Sequence, residues 1–340
     1  MNKQQLKDFR NHFQLQVTSE ETTGRISRVT QGLYDIRTRD KTYIAQLSGR
    51  FHHQVESSRD LPAIGDWVIV EPYDQDEKAL IHKVLTRETL LSRKKAGESH
   101  TEQLIAANIN KVFIVTALTE EFNLRRIERY ITQIYESGAL PVIVCTKRDL
   151  CSETEDRLAE VTASAPGISV YAINNLTGEG LDLLENELIP GETIALIGSS
   201  GVGKSSLINR LLGEERMTTS EVRSSDNRGR HTTTHRELFE LPNGSVVIDT
   251  PGMRELQLWS KEESSDAAFS DIEVLSDKCK FRDCSHDTEP GCAVQRAIKD
   301  GELEESRLKN YFKLRRELRR LELKEQYGTH RTNRILHGPK

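Results

Sequence analysis

The N-terminal region shows short runs in which apolar and polar residues alternate, separated by loops rich in turn-forming residues. Alternation with a period of two predicts β-strands that bury one face, and several short strands in succession predict a small β-barrel. The pattern fits an oligonucleotide-binding (OB) barrel and an SH3-like barrel equally well. The predicted strands are Gly24–Val29, Thr42–Leu47, Asp66–Val70 and Ala79–Val84.

Farther along the chain the apolar residues form continuous runs. Such runs are typical of parallel strands that are buried on both faces, so this part of the chain has the pattern of an α/β sheet. Apolar residues at helical spacing predict helices at Leu181–Leu188 and Ser206–Leu212. The predicted buried strands are Pro141–Cys145, Thr193–Ile197 and Ser245–Ile248.

Length, composition and charge narrow the class of protein. The chain has 340 residues, enough for two or three domains. It has no signal-peptide pattern and no long apolar run, so we expect a cytoplasmic protein without membrane contact. The net charge of −5 argues by itself against a nucleic-acid-binding protein.

The charge is nevertheless uneven along the chain. Residues 307–340 contain eleven lysines and arginines and three glutamates. The segment Arg307–Arg320 has the pattern of a basic amphipathic helix. That pattern fits a surface that binds RNA, and it fits an ordinary solvated helix face equally well.

A glycine-rich motif of the form G-x-x-x-x-G-K-S lies between a predicted strand and a predicted helix. Its glycines let backbone N–H groups turn inward around phosphate oxygens, where the helix N-terminus adds positive charge. We expect Lys204 to reach the β- and γ-phosphates and the Ser205 hydroxyl to bind Mg²⁺. The alternative is a glycine-rich turn that binds nothing. The predicted phosphate-binding residues are Gly198, Ser199, Ser200, Gly201, Val202, Gly203, Lys204, Ser205 and Ser206.

Two later segments have the features of nucleotide switches. Asp249 and Gly252 form a D-x-x-G motif at the end of a predicted strand. We expect Asp249 to hold Mg²⁺, usually through water, and the Gly252 N–H to contact the γ-phosphate. In the polar segment before this strand, Thr234 is the predicted Mg²⁺ ligand, with Thr233 as the alternative. His231 is a candidate for positioning the attacking water.

A tetrapeptide of the form T-K-x-D follows the Pro141–Cys145 run, at the edge where an open α/β sheet binds ligands. The Asp149 carboxylate can accept hydrogen bonds from the guanine N1–H and exocyclic amine, which adenine cannot supply. A later loop has the position of the segment that closes over the base. The predicted guanine-binding residues are Thr146, Lys147, Arg148, Asp149, Asn174 and Asn175.

The order of these motifs is unusual. In an ordinary GTPase the guanine motif follows the phosphate-binding loop, whereas here Asp149 precedes Gly198. Pro190-Gly191 joins the predicted last helix directly to the strand before the loop. The sequence therefore predicts a GTPase whose chain is circularly permuted.

Three cysteines and a histidine lie within fourteen residues near the C-terminus. Three thiolates and one imidazole suit tetrahedral Zn²⁺, and four protein ligands indicate a structural site rather than a catalytic one. A disulfide would leave one thiol unpaired. The predicted zinc ligands are Cys279, Cys284, His286 and Cys292.

Together these motifs resemble the RsgA (YjeQ) family, the ribosome small-subunit-dependent GTPases. The resemblance extends roughly over residues 22–325, nearly the whole chain. Thr146 replaces the usual Asn, and Asn174-Asn175 replaces the usual Ser-Ala. The matching segments are Gly65–Val68, Asn123–Tyr130, Thr146–Asp149, Thr177–Gly180, Gly198–Ser206, Gly229–Thr234, Asp249–Gly252 and the cysteine–histidine cluster.

The resemblance implies an OB barrel, a permuted GTPase domain and a zinc-bearing helical domain. We expect an N-terminal arm at 1–21, the barrel at 22–97, the GTPase at 98–262 and the helical domain with its basic tail at 263–340. The implied role is to bind the small ribosomal subunit and its ribosomal RNA late in maturation and to hydrolyse GTP there. We expect a monomer with no DNA partner.

Met253 stands where Ras-like enzymes place a water-orienting glutamine, so we expect slow intrinsic hydrolysis that a partner accelerates. Two other hypotheses remain open from the residues. One is an RNA-associated structural factor in which GTP binding stabilises the fold with little turnover. The other is a metabolic P-loop kinase or ATPase, against which Asp149 argues.

Overall fold

The structure of the protein is a computed structural model. Most of the predicted N-terminal arm lies outside the residues that the structure describes. Thr233, Thr234, His231, Gly252 and Met253, for which the sequence predicts roles, lie wholly outside them. The described residues are 13, 16–30, 32–73, 77–94, 102–120, 122–217, 236–249, 269–281, 283–287, 289–316, 319–320 and 323.

The described residues fall into two compact units. One contains the N-terminal strands and the large sheet, and the other contains the C-terminal helices together with two segments from the middle of the chain. The first unit comprises residues within Met1–Phe122, Ser137–Leu158 and Ser169–Leu256, and the second those within Asn123–Glu136, Ala159–Ile168 and Gln257–Lys340.

The N-terminal strands close into a five-stranded barrel. Strand β1 pairs antiparallel with β2 and β4, β2 with β3 and β4 with β5, while β3 and β5 are parallel. A short helix, α1 (Gly49–Gln54), lies between β3 and β4. This arrangement is an OB barrel and not an SH3-like one. The strands are β1 (Thr22–Thr30), β2 (Leu33–Thr38), β3 (Thr42–Leu47), β4 (Trp67–Tyr73) and β5 (Lys78–Val84).

The barrel core follows from the alternation in the sequence. Ile26, Ile36, Val68 and Ile81 are fully buried, one from each of four strands. Strand β2 was not among the predicted strands, although Tyr34, Ile36 and Thr38 alternate with more exposed residues. Phe13 from the N-terminal arm packs on Trp67 of β4, with ring centroids 6.0 Å apart.

The central sheet of the first unit is mostly parallel, as the continuous apolar runs predicted. Its strand order is β10-β9-β8-β11-β13-β12, with β12 antiparallel at the end. A separate hairpin joins β6 and β7. The strands are β6 (Leu90–Lys94), β7 (Glu102–Ala107), β8 (Lys111–Ala117), β9 (Leu140–Thr146), β10 (Val170–Ala172), β11 (Thr193–Ile197), β12 (Arg236–Glu240) and β13 (Val246–Asp249).

The barrel and the central sheet are hydrogen-bonded into one sheet of eleven strands. The first half of β1 pairs with β4, and its second half pairs with β12, with Arg28 opposite Glu237. Buried Arg25 of β1 also donates to the Thr193 hydroxyl, 2.7 Å away, at the start of β11. The strand that leads to the phosphate-binding loop is therefore tied directly to the barrel.

Helices follow the strands of the sheet. The segment predicted as a helix at Leu181–Leu188 is helical only to Glu185, where Asn186 caps it. A hydrophobic core contains fully buried Phe113, Leu196, Leu207 and Val247. The helices are α2 (Leu124–Ser137), α3 (Thr154–Ser164), α4 (Leu181–Glu185) and α5 (Lys204–Leu212).

The second unit contains nearly all of α2 and part of α3. It also contains α6 (Ser270–Ser276), α7 (Ala293–Lys299) and α8, whose continuous described part is 305–316. Phe269 and Tyr311 pack edge to face at 5.5 Å. Arg307 is buried: it makes two hydrogen bonds to Asp271 and lies 4.7 Å over the Phe269 ring. Among the described residues, no helix combines the length and the apolar character that a membrane span requires.

Candidate nucleotide site and metal centre

The glycine-rich loop leaves the carboxyl end of β11, between the parallel strands β8 and β13. Gly198 has φ 145°, and a Cβ there would lie 2.1 Å from the carbonyl oxygen of Val115. Only glycine can occupy position 198, because any side chain there would clash with the backbone of strand β8. Gly203, with φ 97°, ends the loop where α5 begins, so backbone N–H groups and a helix N-terminus meet at one place.

The Lys204 side chain folds back over the loop. Its ammonium donates to the carbonyl oxygens of Gly198, at 2.8 Å, and Ser199, at 2.7 Å. The charge therefore lies at the loop itself, the region into which the surrounding glycines can turn their N–H groups.

The predicted guanine motif contacts this loop through its first residue. Thr146 is fully buried at the end of β9. Its hydroxyl donates to the Val202 carbonyl oxygen, 2.5 Å away, and lies 3.2 Å from that of Thr116. The Thr146 hydroxyl therefore connects the guanine motif to the phosphate-binding loop, and this connection does not need the amide of the usual asparagine.

The rest of the guanine motif forms a tight turn. Lys147 adopts a left-handed conformation with φ 58°, and a single 3₁₀ turn, Arg148–Leu150, follows. Asp149 is exposed on this turn. The Arg148 guanidinium forms an ion pair with Glu179 at 3.2 Å, which connects the turn to the next loop.

That next loop contains the two predicted asparagines, and both have structural partners. The Asn174 side-chain oxygen accepts from the Leu176 N–H at 2.8 Å, so it holds the loop in its turn. The Asn175 amide donates to the Gly203 carbonyl oxygen at 3.0 Å. Arg210 of α5, which the sequence analysis missed, donates to the Asn175 carbonyl oxygen at 2.7 Å. No local motif marks Arg210, because its partners are distant in sequence.

Asp249 ends β13, the parallel neighbour of β11, and lies opposite Leu196 in the register. Its side chain is 3% exposed. A buried carboxylate at the same sheet edge as the loop is the arrangement that Mg²⁺ binding through Asp249 requires. The structure therefore brings together the loop, the guanine motif, the asparagine loop and the strand of Asp249.

The four predicted zinc ligands also come together. Their donor atoms all lie within 4.8 Å of one another. The His286 Nδ1 is 3.6 Å from the Cys279 Sγ and 3.5 Å from the Cys292 Sγ. Three sulfurs and one nitrogen at these separations fit a tetrahedral zinc site with about 2.3 Å Zn–S bonds and about 2.1 Å Zn–N bonds.

Hydrogen bonds around the cluster orient the histidine as a ligand. The Ser276 hydroxyl donates to the Ile272 carbonyl oxygen at 2.9 Å and lies 2.9 Å from the His286 Nε2. Because this hydroxyl has one proton, which the Ile272 carbonyl accepts, we assign Nε2 as the donor to it, and the Nδ1 lone pair is then available to a metal. Burial lowers the pKa of His286, which favours the neutral ring.

Backbone N–H groups support the thiolates. Those of Ala293 and Gln295 donate to the sulfurs of Cys279, at 3.3 Å, and Cys292, at 3.4 Å. Burial opposes ionisation of Cys279, but hydrogen bonds from backbone N–H groups and from the neighbouring cysteine thiols together lower its pKa. In the loop between the ligands, hydrogen bonds from the Ser285 hydroxyl and from backbone N–H groups lower the pKa of Glu289 to about 2.

The phosphate-binding loop follows the central parallel strand β11, and the guanine motif begins at the end of the earlier strand β9, with β8 between the two strands. The Thr146 hydroxyl of that motif donates to the loop. This order and arrangement of motifs defines a circularly permuted GTPase. The model of the RsgA GTPase family matches residues 84–259. The chain belongs to the RsgA GTPase family, and it is a hydrolase that acts on GTP.

Curated relatives match over most of their length. "Small ribosomal subunit biogenesis GTPase RsgA 1" of Oceanobacillus iheyensis is 47% identical, over 83% of this chain and 80% of that protein. "Small ribosomal subunit biogenesis GTPase RsgA" of Syntrophotalea carbinolica is 42% identical, over 91% and 87%. The resemblance read from the sequence motifs is thus confirmed.

Two solved structures show the same architecture. The crystal structure of YjeQ from Thermotoga maritima superposes with a TM-score of 0.65 at 26% identity, over 88% of this chain and 98% of that one. YloQ, described as a circularly permuted GTPase, gives 0.63 at 25% identity, over 88% and 96%. The predicted fold class and the permutation are confirmed.

Proposed function

We propose that this GTPase acts on the small ribosomal subunit during its maturation, with slow turnover alone and faster turnover when bound to the subunit. The names of its close relatives support the partner. The main observation in support of the nucleotide site is the hydrogen bond between Thr146 and the phosphate-binding loop. This bond joins the guanine motif to the loop, although the guanine motif comes first in the sequence.

In this proposal the backbone N–H groups of Gly198–Ser206 hold the phosphates, and Lys204 exchanges its loop carbonyls for the β- and γ-phosphates. The Ser205 hydroxyl, Asp249 and Thr234 would hold Mg²⁺, which neutralises charge that develops on the phosphate oxygens. The Gly252 N–H contacts the γ-phosphate, and His231 helps to position water.

Base recognition rests on the exposed Asp149 carboxylate, which pairs with the guanine N1–H and exocyclic amine. The Lys147 stem covers the base. Asn174 and Asn175 act indirectly, since their side chains hold the neighbouring loop in its turn and against α5. Arg148 belongs to the same support through its ion pair with Glu179.

The zinc site is proposed to be structural. Cys279, Cys284, His286 and Cys292 supply four ligands, so no coordination position is left for a substrate. In so small a helical unit, metal-binding energy contributes directly to folding.

In this proposal the partner is the ribosomal RNA of the small subunit. The barrel and the basic C-terminal segment, Arg307–Arg320, contact it. We further propose a cytoplasmic monomer with no DNA or membrane partner, and the division into arm, barrel, GTPase and zinc-bearing domains given above.

Co-sedimentation with purified small subunits tests this partner. We expect binding with a non-hydrolysable GTP analogue and weaker binding with GDP, because the γ-phosphate orders the switch segments. Equal binding to small and large subunits, or no binding in either nucleotide state, would refute the proposed partner and leave the GTPase activity unaffected.

A further inference from the structure

Helices α2 and α8 of the second unit border a small cleft with three cationic side chains. We call it the basic cleft. Its lining residues are Arg125, Glu128, Arg129, Asn310, Lys313 and Leu314.

Hydrogen bonds across the basic cleft fix its geometry. The Arg125 Nε donates to the Asn310 side-chain oxygen at 3.1 Å. The Asn310 amide in turn donates to a Glu128 carboxylate oxygen at 3.3 Å. The terminal nitrogens of Arg125 take no part in this bond, so a guanidinium held in a defined place retains donors for a second partner.

The charge balance of the cleft is positive. Glu128 is buried, and burial raises its pKa to about 7, so near neutral pH it carries only part of a negative charge. Arg307 also lies near Glu128, at 3.7 Å, but its charge is matched by two hydrogen bonds to Asp271. Arg125 and Lys313, without counting Arg129, therefore already outweigh the single carboxylate among the lining residues.

The positive surface continues along α8. Lys313, Arg316 and Arg320 are exposed and recur at intervals of three and four residues, which places them on one helical face. The six lining residues of the cleft include no aromatic side chain. Such a surface offers charge and N–H donors but no platform for stacking bases, so it fits a phosphate backbone better than unpaired bases.

We propose that the basic cleft, extended by Arg316 and Arg320, binds the phosphodiester backbone of RNA in the small ribosomal subunit. The inference rests on the proposed function and adds a specific contact surface to it. It assigns part of the binding to α2, a helix from the middle of the chain, and not to the basic C-terminal segment alone.

The test is the salt dependence of binding to purified small subunits with a non-hydrolysable GTP analogue. Each lost phosphate contact reduces the slope of log affinity against log salt by about 0.9. For the double variant R125Q/K313Q we expect weaker binding and a slope shallower by about 2. The matched control is R296Q/K299Q, which removes one arginine and one lysine that are exposed on α7.

The control is expected to bind as the wild type does. Equal losses in both double variants would show unspecific attraction and overturn the proposal, as would an unchanged slope in R125Q/K313Q. If R125Q/K313Q fails to fold, Lys313→Gln alone, at an exposed position, is expected to reduce the slope by about 1. Protein-free RNA from the same subunits must show the same loss, because a loss seen only with intact subunits assigns the cleft to a ribosomal protein.

Absence of wild-type binding would count against the proposed function itself. Wild-type binding with an unaffected R125Q/K313Q variant would count against the basic cleft alone.

Discussion

Thr146 joins two parts of the nucleotide site that are 56 residues apart in the sequence, through a hydroxyl that is fully buried. In Thr146→Val the Val202 carbonyl loses this donor without a change of shape. An unpaired buried group costs about 1–3 kcal/mol of folding free energy. Because the phosphate-binding loop is then less well held for its ligand, we expect part of this cost to appear as a fall in GTP affinity of up to roughly tenfold. Thr146→Ser keeps the hydroxyl and is the control.

Titration with a fluorescent GTP analogue measures the effect, and a melting curve checks the fold. Wild-type affinity in Thr146→Val would show that the hydrogen bond between the motifs does not support nucleotide binding.

Asp149 governs the choice of base in the proposed site. Asp149→Asn removes an acceptor for the guanine N1–H, so we expect weaker GTP binding and a relaxed preference against xanthosine nucleotides. The residue is exposed, and the fold is therefore expected to be unaffected. Competition among GTP, XTP and ATP gives the measurement. Equal affinity of the native protein for ATP and GTP would contradict the assignment of Asp149.

At the scale of elements, the loop and helix ends around the cysteines hold the four donor groups of the proposed zinc site close together. We expect about one Zn²⁺ per chain by elemental analysis. Ser276→Ala removes the acceptor that fixes the His286 ring, and we expect zinc affinity to fall about 10- to 100-fold. Exposed Ser306 provides the control Ser306→Ala.

Zinc affinity is measured by competition with a chromogenic chelator. A Ser276→Ala variant that holds zinc as tightly as the wild type would contradict the orienting role of this hydroxyl. Metal-free protein with an unchanged melting profile would contradict the structural role of the metal.

Packing between α2 and α8 makes stability depend on pH through Glu128. Burial raises the pKa of Glu128 from its ordinary 4.5 to about 7. The folded state therefore retains a proton that the unfolded state has lost between these values. The contribution of the protonated Glu128 carboxyl to the stability of the folded state is complete below pH 4.5. It falls as the pH rises from 4.5 through about 7.

Thermal melting from pH 5 to pH 8 measures this dependence. We expect Glu128→Gln, which cannot ionise, to show a smaller loss of stability over this range than the wild type. An identical pH profile in both proteins would show that the Glu128 carboxyl is ionised in the folded state throughout.

The elements that could be predicted from sequence are those with a local pattern. The alternation of apolar and polar residues predicted most of the barrel strands, and continuous apolar runs predicted β9, β11 and β13. The spacing of three cysteines and a histidine predicted the cluster of possible metal ligands. The contacts that unite the site were not predictable. The pairing of β1 with β12, the support from Arg210 and the role of Ser276 join residues that no short motif relates.

At the scale of the whole molecule, the barrel and the central sheet of the first unit are one hydrogen-bonded sheet. β12, which pairs with β1, also pairs with β13, the strand that ends at Asp249. A partner that binds the barrel therefore has a continuous path of backbone hydrogen bonds to the nucleotide site. This path is the physical route that we propose for the expected stimulation by the small subunit.

The most direct test of the account is GTP turnover during titration with purified small ribosomal subunits. Met253 cannot orient water, so we expect slow turnover alone and a saturable rise of at least about tenfold with subunits. The rise is expected to decline with increasing salt, since phosphate contacts weaken. Lys204→Ala is the control and is expected to show no turnover with subunits present. A basal rate already equal to the rate with saturating subunits would contradict the account and favour a structural factor.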